Sequence, residues 1–202
     1  MCDRTIIGSK FFSPAAGITG PEARAGFTLV EVLTALFLVM VGIGSAYTLV
    51  NQSLAQTKSA ALEVTAAYLG KEGIEIARSI RDDNYLKILY SEPGYEGTDA
   101  WRSGLYCGVA DDCPVKIDCT GGCTADYMSD SLSTSYVTDQ LKYDDTTGFY
   151  GYTGTEQSLY IRTITITPEA DYLKASALVR WNEKGNIRSL TVEENLYNWW
   201  PN

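Results

Sequence analysis

The apolar residues of the chain are gathered rather than spread. From Phe27 to Val50 it reads FTLVEVLTALFLVMVGIGSAYTLV, 24 residues with one charge, Glu31. About 20 apolar residues of helix cross a hydrocarbon core, and buried core helices are shorter and carry a polar stripe, so the run predicts a transmembrane helix over 27–50. The helical rhythm continues beyond it. Leu62, Ala66, Leu69, Gly73, Ile76 and Ile80 follow a 4-3-4-3-4 spacing that gathers them on one stripe of an amphipathic helix. Glu63, Lys71, Glu75 and Arg78 lie outside the stripe, and Lys71 and Glu75 form an i, i+4 pair suited to a solvated face. Asp82-Asp83-Asn84 offers a break, so one helix is predicted over 27–82. From Phe27 to Ile80 alone it would run about 80 Å, too long for a domain of this size to enclose.

The polar half is less regular. Between Ser91 and Gly154 the chain is rich in Gly, Asp, Ser, Thr and Tyr, and it predicts irregular structure with one or two short strands. Ser158 to Thr167, SLYIRTITIT, alternates Leu159, Ile161, Thr163 and Thr165 against Tyr160, Arg162, Ile164 and Ile166, and its β-branched residues make it a strand. Leu173 to Asn182 and Ile187 to Leu196 are two more, joined as a hairpin by the short Gly- and Asn-containing loop Glu183-Lys184-Gly185-Asn186. The expected fold class is α+β, a long N-terminal helix packed on a C-terminal antiparallel sheet over 158–196, with Val179, Trp181, Leu190 and Val192 facing the helix stripe.

Composition narrows the chemistry. The 202 residues include no histidine, which removes the commonest general base and transition-metal ligand. A net charge of -9 argues against direct DNA binding, because nonspecific affinity comes from Lys and Arg neutralising phosphates. Arg4, Lys10 and Arg24 precede the apolar run and the first basic residue after it is Lys58, so the positive-inside bias keeps the N-terminus cytoplasmic. A secretory signal would place its apolar stretch before the cleavage site; here the small residues Ala25 and Gly26 come before the run.

That order of features, with the string Gly26-Phe27-Thr28-Leu29-Val30-Glu31, resembles the prepilin leader of type IV pilins and pseudopilins. The resemblance implies that residues 1–26 are a leader removed by a prepilin peptidase between Gly26 and Phe27, and that Phe27 becomes the N-methylated terminus. It also implies that Glu31 is the glutamate used in filament assembly. The partners so implied are the peptidase, the cytoplasmic membrane before assembly, and other pilin subunits through the N-terminal helices. A carboxylate in a membrane helix costs a few kcal/mol, so Glu31 also needs a partner on physical grounds. Major pilins of the family commonly carry a proline near the position of Thr48, whereas here none stands between Pro21 and Pro93, and any kink would fall to Gly42 and Gly44. This favours a minor pilin, with a type II secretion pseudopilin as the alternative. The chain would be a single-pass protein, later part of an extracellular or periplasmic filament, with an extracytoplasmic head over 83–202.

Within that head, Cys107, Cys113, Cys119 and Cys123 are spaced C-x5-C-x5-C-x3-C, and the fifth cysteine, Cys2, falls in the leader. The spacing lacks the paired C-x2-C knuckles of structural zinc, and an extracytoplasmic compartment oxidises thiols, so two disulfides are expected in the segment 107–123 and neither a metal nor a cofactor. Four cysteines allow three pairings, and the sequence leaves them open. Asp111-Asp112 and Asp144-Asp145 read as turn formers, since no calcium loop of the Asp-x-Asp-x-Asp-Gly kind surrounds them. The terminal Tyr197-Asn198-Trp199-Trp200-Pro201 is read as closing the core against the sheet rather than as a ligand platform. A signal-anchored extracytoplasmic enzyme or binding protein is the competing class. The absence of histidine, of G-x-S-x-G and of a nucleotide loop argues against an enzyme.

Overall fold

The computed structural model describes residues 26–108, 111–126, 129 and 131–199. The chain divides into two compact units, residues 1–51 and 52–202. One helix, α1 (Leu29–Leu89), contributes to both. In the first unit it runs through Gly42 and Gly44 without interruption, so the roughly 1 kcal/mol that each glycine costs relative to alanine does not break a helix this apolar.

The second unit is an α+β arrangement in which the amphipathic part of α1 packs on antiparallel sheet. Three long strands, β4 (Tyr160–Pro168), β5 (Tyr172–Glu183) and β6 (Asn186–Tyr197), lie in the order β4-β5-β6. The hairpin closes at Glu183 and Asn186 through Lys184 and Gly185, both at positive φ (52° and 86°), the conformation a tight two-residue turn requires. Three two-residue strands, β1 (Lys142–Tyr143), β2 (Tyr150–Gly151) and β3 (Glu156–Gln157), form a second sheet in the order β2-β1-β3. Two of these, β1 and β2, fall between Ser91 and Gly154, in line with the one or two short strands expected there, and β3 lies just beyond.

The inner face of the main sheet is Tyr160, Arg162, Ile164 and Ile166 of β4 with Leu173, Ala175, Ala177, Val179 and Trp181 of β5, all buried. Ala66 and Leu69 of α1 join Tyr160, Val179 and Trp181 in one cluster; Ile74, Ala77, Ile80 and Tyr85 join Ile164, Ile166, Ala175 and Leu196 in another. Leu190 and Val192 are only half-buried, because β6 is the sheet's edge. The helix stripe is also wider than the spacing suggests. Gly70, Ile74 and Ala77 are buried, whereas Leu62 and Ile76 are half-buried. Small residues let the layers approach closely: a Cβ on Gly73 would stand 3.3 Å from Ala177 Cβ and 3.2 Å from Arg162 Cδ.

Two local expectations are corrected. The helix does not stop at Asp82-Asp83-Asn84 but ends at Leu89. Asn84 is buried, and its amide donates to the carbonyls of Trp101 (3.1 Å) and Ser103 (2.7 Å), while Asp83 pairs with Lys87 one turn on (2.6 Å). Residues that break helices in isolation here gain their partners by staying helical. The real stop is a Schellman cap, with Ser91 at φ 53° and its N–H and that of Glu92 donating to the carbonyls of Ile88 and Lys87. The second correction concerns Glu75, which pairs with Arg78 rather than with Lys71, because Arg78 is held in place by Glu194 of β6.

Candidate processing and assembly segment

The residues singled out at the mouth of the apolar run, Gly26, Phe27 and Glu31, fall within six consecutive positions. Gly26 and Phe27 precede the helix in irregular backbone, and Phe27 is 81% exposed. Thr28 caps α1: its carbonyl accepts the N–H of Val32 (3.2 Å) and its hydroxyl accepts the N–H of Glu31 (3.2 Å). Thr-x-x-Glu is the sequence of a capping box, a helix-start signal present in the chain and not read there at first sight. It sets Glu31 at the third helical position, where a carboxylate is also favoured by the helix dipole. Beyond it, the polar side chains fold back on the helix. Thr34, Ser45 and Thr48 donate to the carbonyls of Glu31, Gly42 and Ser45 (3.0, 2.9 and 2.7 Å), so these hydroxyls need no water. The apolar side chains from Leu29 to Val50 are exposed throughout, the surface of a helix that requires lipid or other helices. Residues 1–25 of the expected leader, with Cys2, lie outside the described residues.

The four cysteines of the second unit form two local disulfides, Cys107–Cys113 and Cys119–Cys123, with Cα atoms 6.5 and 5.2 Å apart. The second secures the free edge of β4. Cys123 N–H donates to Ile164 O (2.6 Å), Ile164 N–H returns to Cys123 O (2.7 Å), and Ile166 N–H donates to Cys119 O (3.2 Å). Gly122 makes the loop possible, because at φ 107° a Cβ there would lie 2.8 Å from Thr163 Cγ2.

The acidic pairs behave as turn formers. Asp144 accepts the Thr146 N–H (2.9 Å), which holds its carboxyl below the ordinary range, and Asp111 accepts the Gly108 N–H (2.7 Å). The C-terminal aromatics differ from expectation. Tyr197 and Trp199 remain half-exposed, and Trp199 rests on Tyr85 of α1 (centroids 4.6 Å) rather than filling the sheet's core. Tyr85 OH donates to Asn198 Oδ1 (2.8 Å) and accepts the Trp199 N–H (3.1 Å), so the segment straps onto the helix end. Trp200 and Pro201 lie outside the described residues.

The residue that sequence reasoning passed over is Arg162, fully buried beneath α1. Its guanidinium donates to Leu69 O (3.1 Å) and Ala125 O (2.7 Å) and lies 3.0 Å from the Glu72 carboxylate. Its only signal was its place among Tyr160, Ile164 and Ile166 on the apolar side of the strand.

The fold and this segment together define a class: an α+β protein built on one long helix whose first part is apolar, exposed and capped at an acidic first turn. Residues 23–47 match the prokaryotic N-terminal methylation motif. No curated protein and no solved structure matches the chain. The motif is the type IV prepilin-like signal, and it supports a place for the chain among pilin and prepilin-like proteins. The motif marks it as a structural protein rather than an enzyme, and implies processing by a prepilin peptidase and assembly with other pilin subunits.

Proposed function

We propose that this protein is a minor structural subunit of a type IV pilus-like filament, held in the cytoplasmic membrane with its N-terminus inside and the head outside until it is assembled. The observation that carries the reading is the capped start of α1, with Phe27 exposed just before it and Glu31 as the one charged side chain of the apolar run. Cleavage after Gly26 would fall in irregular, accessible backbone and leave a cationic amine on Phe27. Glu31 would then pair with that amine on a neighbouring subunit. Two unit charges 4 Å apart attract by about 4 kcal/mol at an effective dielectric near 20, enough to bias docking of an incoming helix and fix its axial position. The unbroken passage through Gly42 and Gly44, with no proline near Thr48, supports the minor role.

Co-expression with a prepilin peptidase tests the first part. The chain should shorten by 26 residues, and a product that stays full length would identify a plain signal anchor. Quantifying the chain in purified filaments tests the second: it should be present at a low ratio to the bulk subunit, and Glu31→Ala should be cleaved normally yet incorporated several-fold less.

A further inference from the structure

The two edges of the main sheet are treated differently. On β4 the outward groups are taken: Cys123 and Ile164 exchange N–H···O bonds (2.6 and 2.7 Å), Ile166 N–H donates to Cys119 O (3.2 Å), and Leu141 N–H donates to Tyr160 O (2.8 Å). On β6 they are not. Bonded pairs alternate along an antiparallel ladder, and Glu183 with Asn186, which closes the two-residue hairpin, is one of them. The even-numbered residues of β6 therefore bond to β5, and Ile187, Ser189, Thr191, Glu193 and Asn195 aim their N–H and C=O groups away from the sheet. All five residues are exposed, and among the described residues no group bonds to their outward side.

The features that usually guard an edge are also missing. β6 is twelve residues long, contains no proline or glycine, and keeps a one-to-one register with β5 without a bulge. Its charged side chains are matched within the chain: Arg188 with Glu183 (3.6 Å), Glu193 with Lys174 (3.0 Å) and Glu194 with Arg78. Ser189-Leu190-Thr191-Val192 is left as an uncharged centre, and Leu190 and Val192 on its inner face are only half-buried. An edge this long and this unguarded is a template for one more strand.

We propose that β6 is a docking site for an extended segment of a different polypeptide, which joins the main sheet as a fourth strand. Pairing from Ile187 to Asn195 would engage about 30 Å of backbone at 3.4 Å per residue. Alternate side chains of the incoming strand would fall beside Leu190 and Val192, where valine or isoleucine completes their burial, and the others beside Ser189 and Thr191, where polar residues suit. A neutral or basic segment fits best, because the chain carries a net charge of -9. A second copy of this chain does not fit. Antiparallel pairing of β6 with another β6 needs a two-fold axis through the sheet, which reverses every direction in the sheet plane, α1 included. The two chains would then enter their heads from opposite sides, which subunits anchored in one membrane cannot do; this exclusion rests on the membrane anchoring proposed above. Copies side by side in one orientation would have to offer β4, whose edge is taken, and β1, β2 and β3 are two residues long.

The test is binding of the full chain, in detergent micelles, to an array of ten-residue peptides in which valine, isoleucine or tyrosine alternates with serine, threonine, asparagine or lysine. A subset should bind. The best of them, labelled, should give a saturable one-to-one anisotropy curve and slow the amide exchange of Ser189, Thr191 and Glu193, with that of Ile164 unchanged. Methylating the alternate peptide amides that face β6 should abolish binding. Thr191→Pro removes an outward N–H and no bond to β5, so circular dichroism should be unchanged while affinity falls about tenfold or more. No saturable binding by any peptide, binding that survives amide methylation, binding that a folded Thr191→Pro variant leaves unchanged, or a concentration-dependent dimer of the chain that Thr191→Pro abolishes would each overturn the proposal. The readout uses the unassembled chain, so it stands or fails separately from incorporation into filaments.

Discussion

Arg162→Met removes the guanidinium from the core and keeps most of the stem's volume. Three contacts go with it: the 3.1 Å bond to Leu69 O, the 2.7 Å bond to Ala125 O, and the ion pair with Glu72. Leu69 lies mid-helix, so its carbonyl keeps the helical bond. Ala125 O loses a charged donor in a buried place, a deficit of about 1–3 kcal/mol. Breaking a fully buried ion pair costs about 3–5 kcal/mol, but the Glu72 side chain is 31% exposed and can turn to water, so its share is smaller. Together these give about 3 kcal/mol, which for a unit of this size lowers Tm by about 6–12 °C. The assay is thermal and urea unfolding followed by the fluorescence of Trp101 and Trp181, both buried in the second unit. A cycle with Glu72→Gln should return a coupling of about 1 kcal/mol. A variant within about 0.5 kcal/mol of wild type would refute the reasoning, because it would mean that desolvating the guanidinium cancels its contacts.

Other outcomes follow from the same core. Cys119→Ser with Cys123→Ser should destabilise more than Cys107→Ser with Cys113→Ser. Each loop closure contributes about 2 kcal/mol, but it is the Cys119–Cys123 loop that carries the backbone bonds to Ile164 and Ile166; equal losses in urea unfolding would contradict this. Gly70→Ala gains about 1 kcal/mol of helix propensity, yet its methyl would lie 2.8 Å from the stiff Val192 Cγ2. Overpacking of that kind costs about 1–3 kcal/mol, so a net loss of stability is expected, and a higher Tm would count against it. Burial pushes the phenols of Tyr150, Tyr152 and Tyr160 up. A raised folded pKa means protons held more tightly than in the unfolded chain, so this stability is fully present below pH about 10 and is lost as pH rises through the folded values. Tyrosinate absorbance should show late titration of a minority of the 14 tyrosines, together with loss of the tryptophan signal; a single step near pH 10 for all of them would refute it.

How much could be read in advance varies by residue. Phe27 to Val50 was legible because an uninterrupted apolar run has few soluble solutions, and Glu31 stood out by costing energy there. The strands of the main sheet were legible to within about two residues, since alternation and the Lys184-Gly185 turn are local signals. The helix end was not: Asp82-Asp83-Asn84 reads as a break until Trp101, Ser103 and Lys87 are in place to receive it.

The chain's order of Gly26–Glu31 string, apolar run, amphipathic stripe and alternating strands determined by itself the prepilin-like class and the α+β layout. Each of those depends on covalent spacing and on the period of apolar residues, which neighbouring residues set. The tertiary structure decided the disulfide pairing, the depth of Arg162, the strap of Trp199 on Tyr85 and the true end of α1. Those depend on which distant groups satisfy a buried donor, acceptor or charge, and a buried polar group has no preferred partner until packing has excluded water from around it.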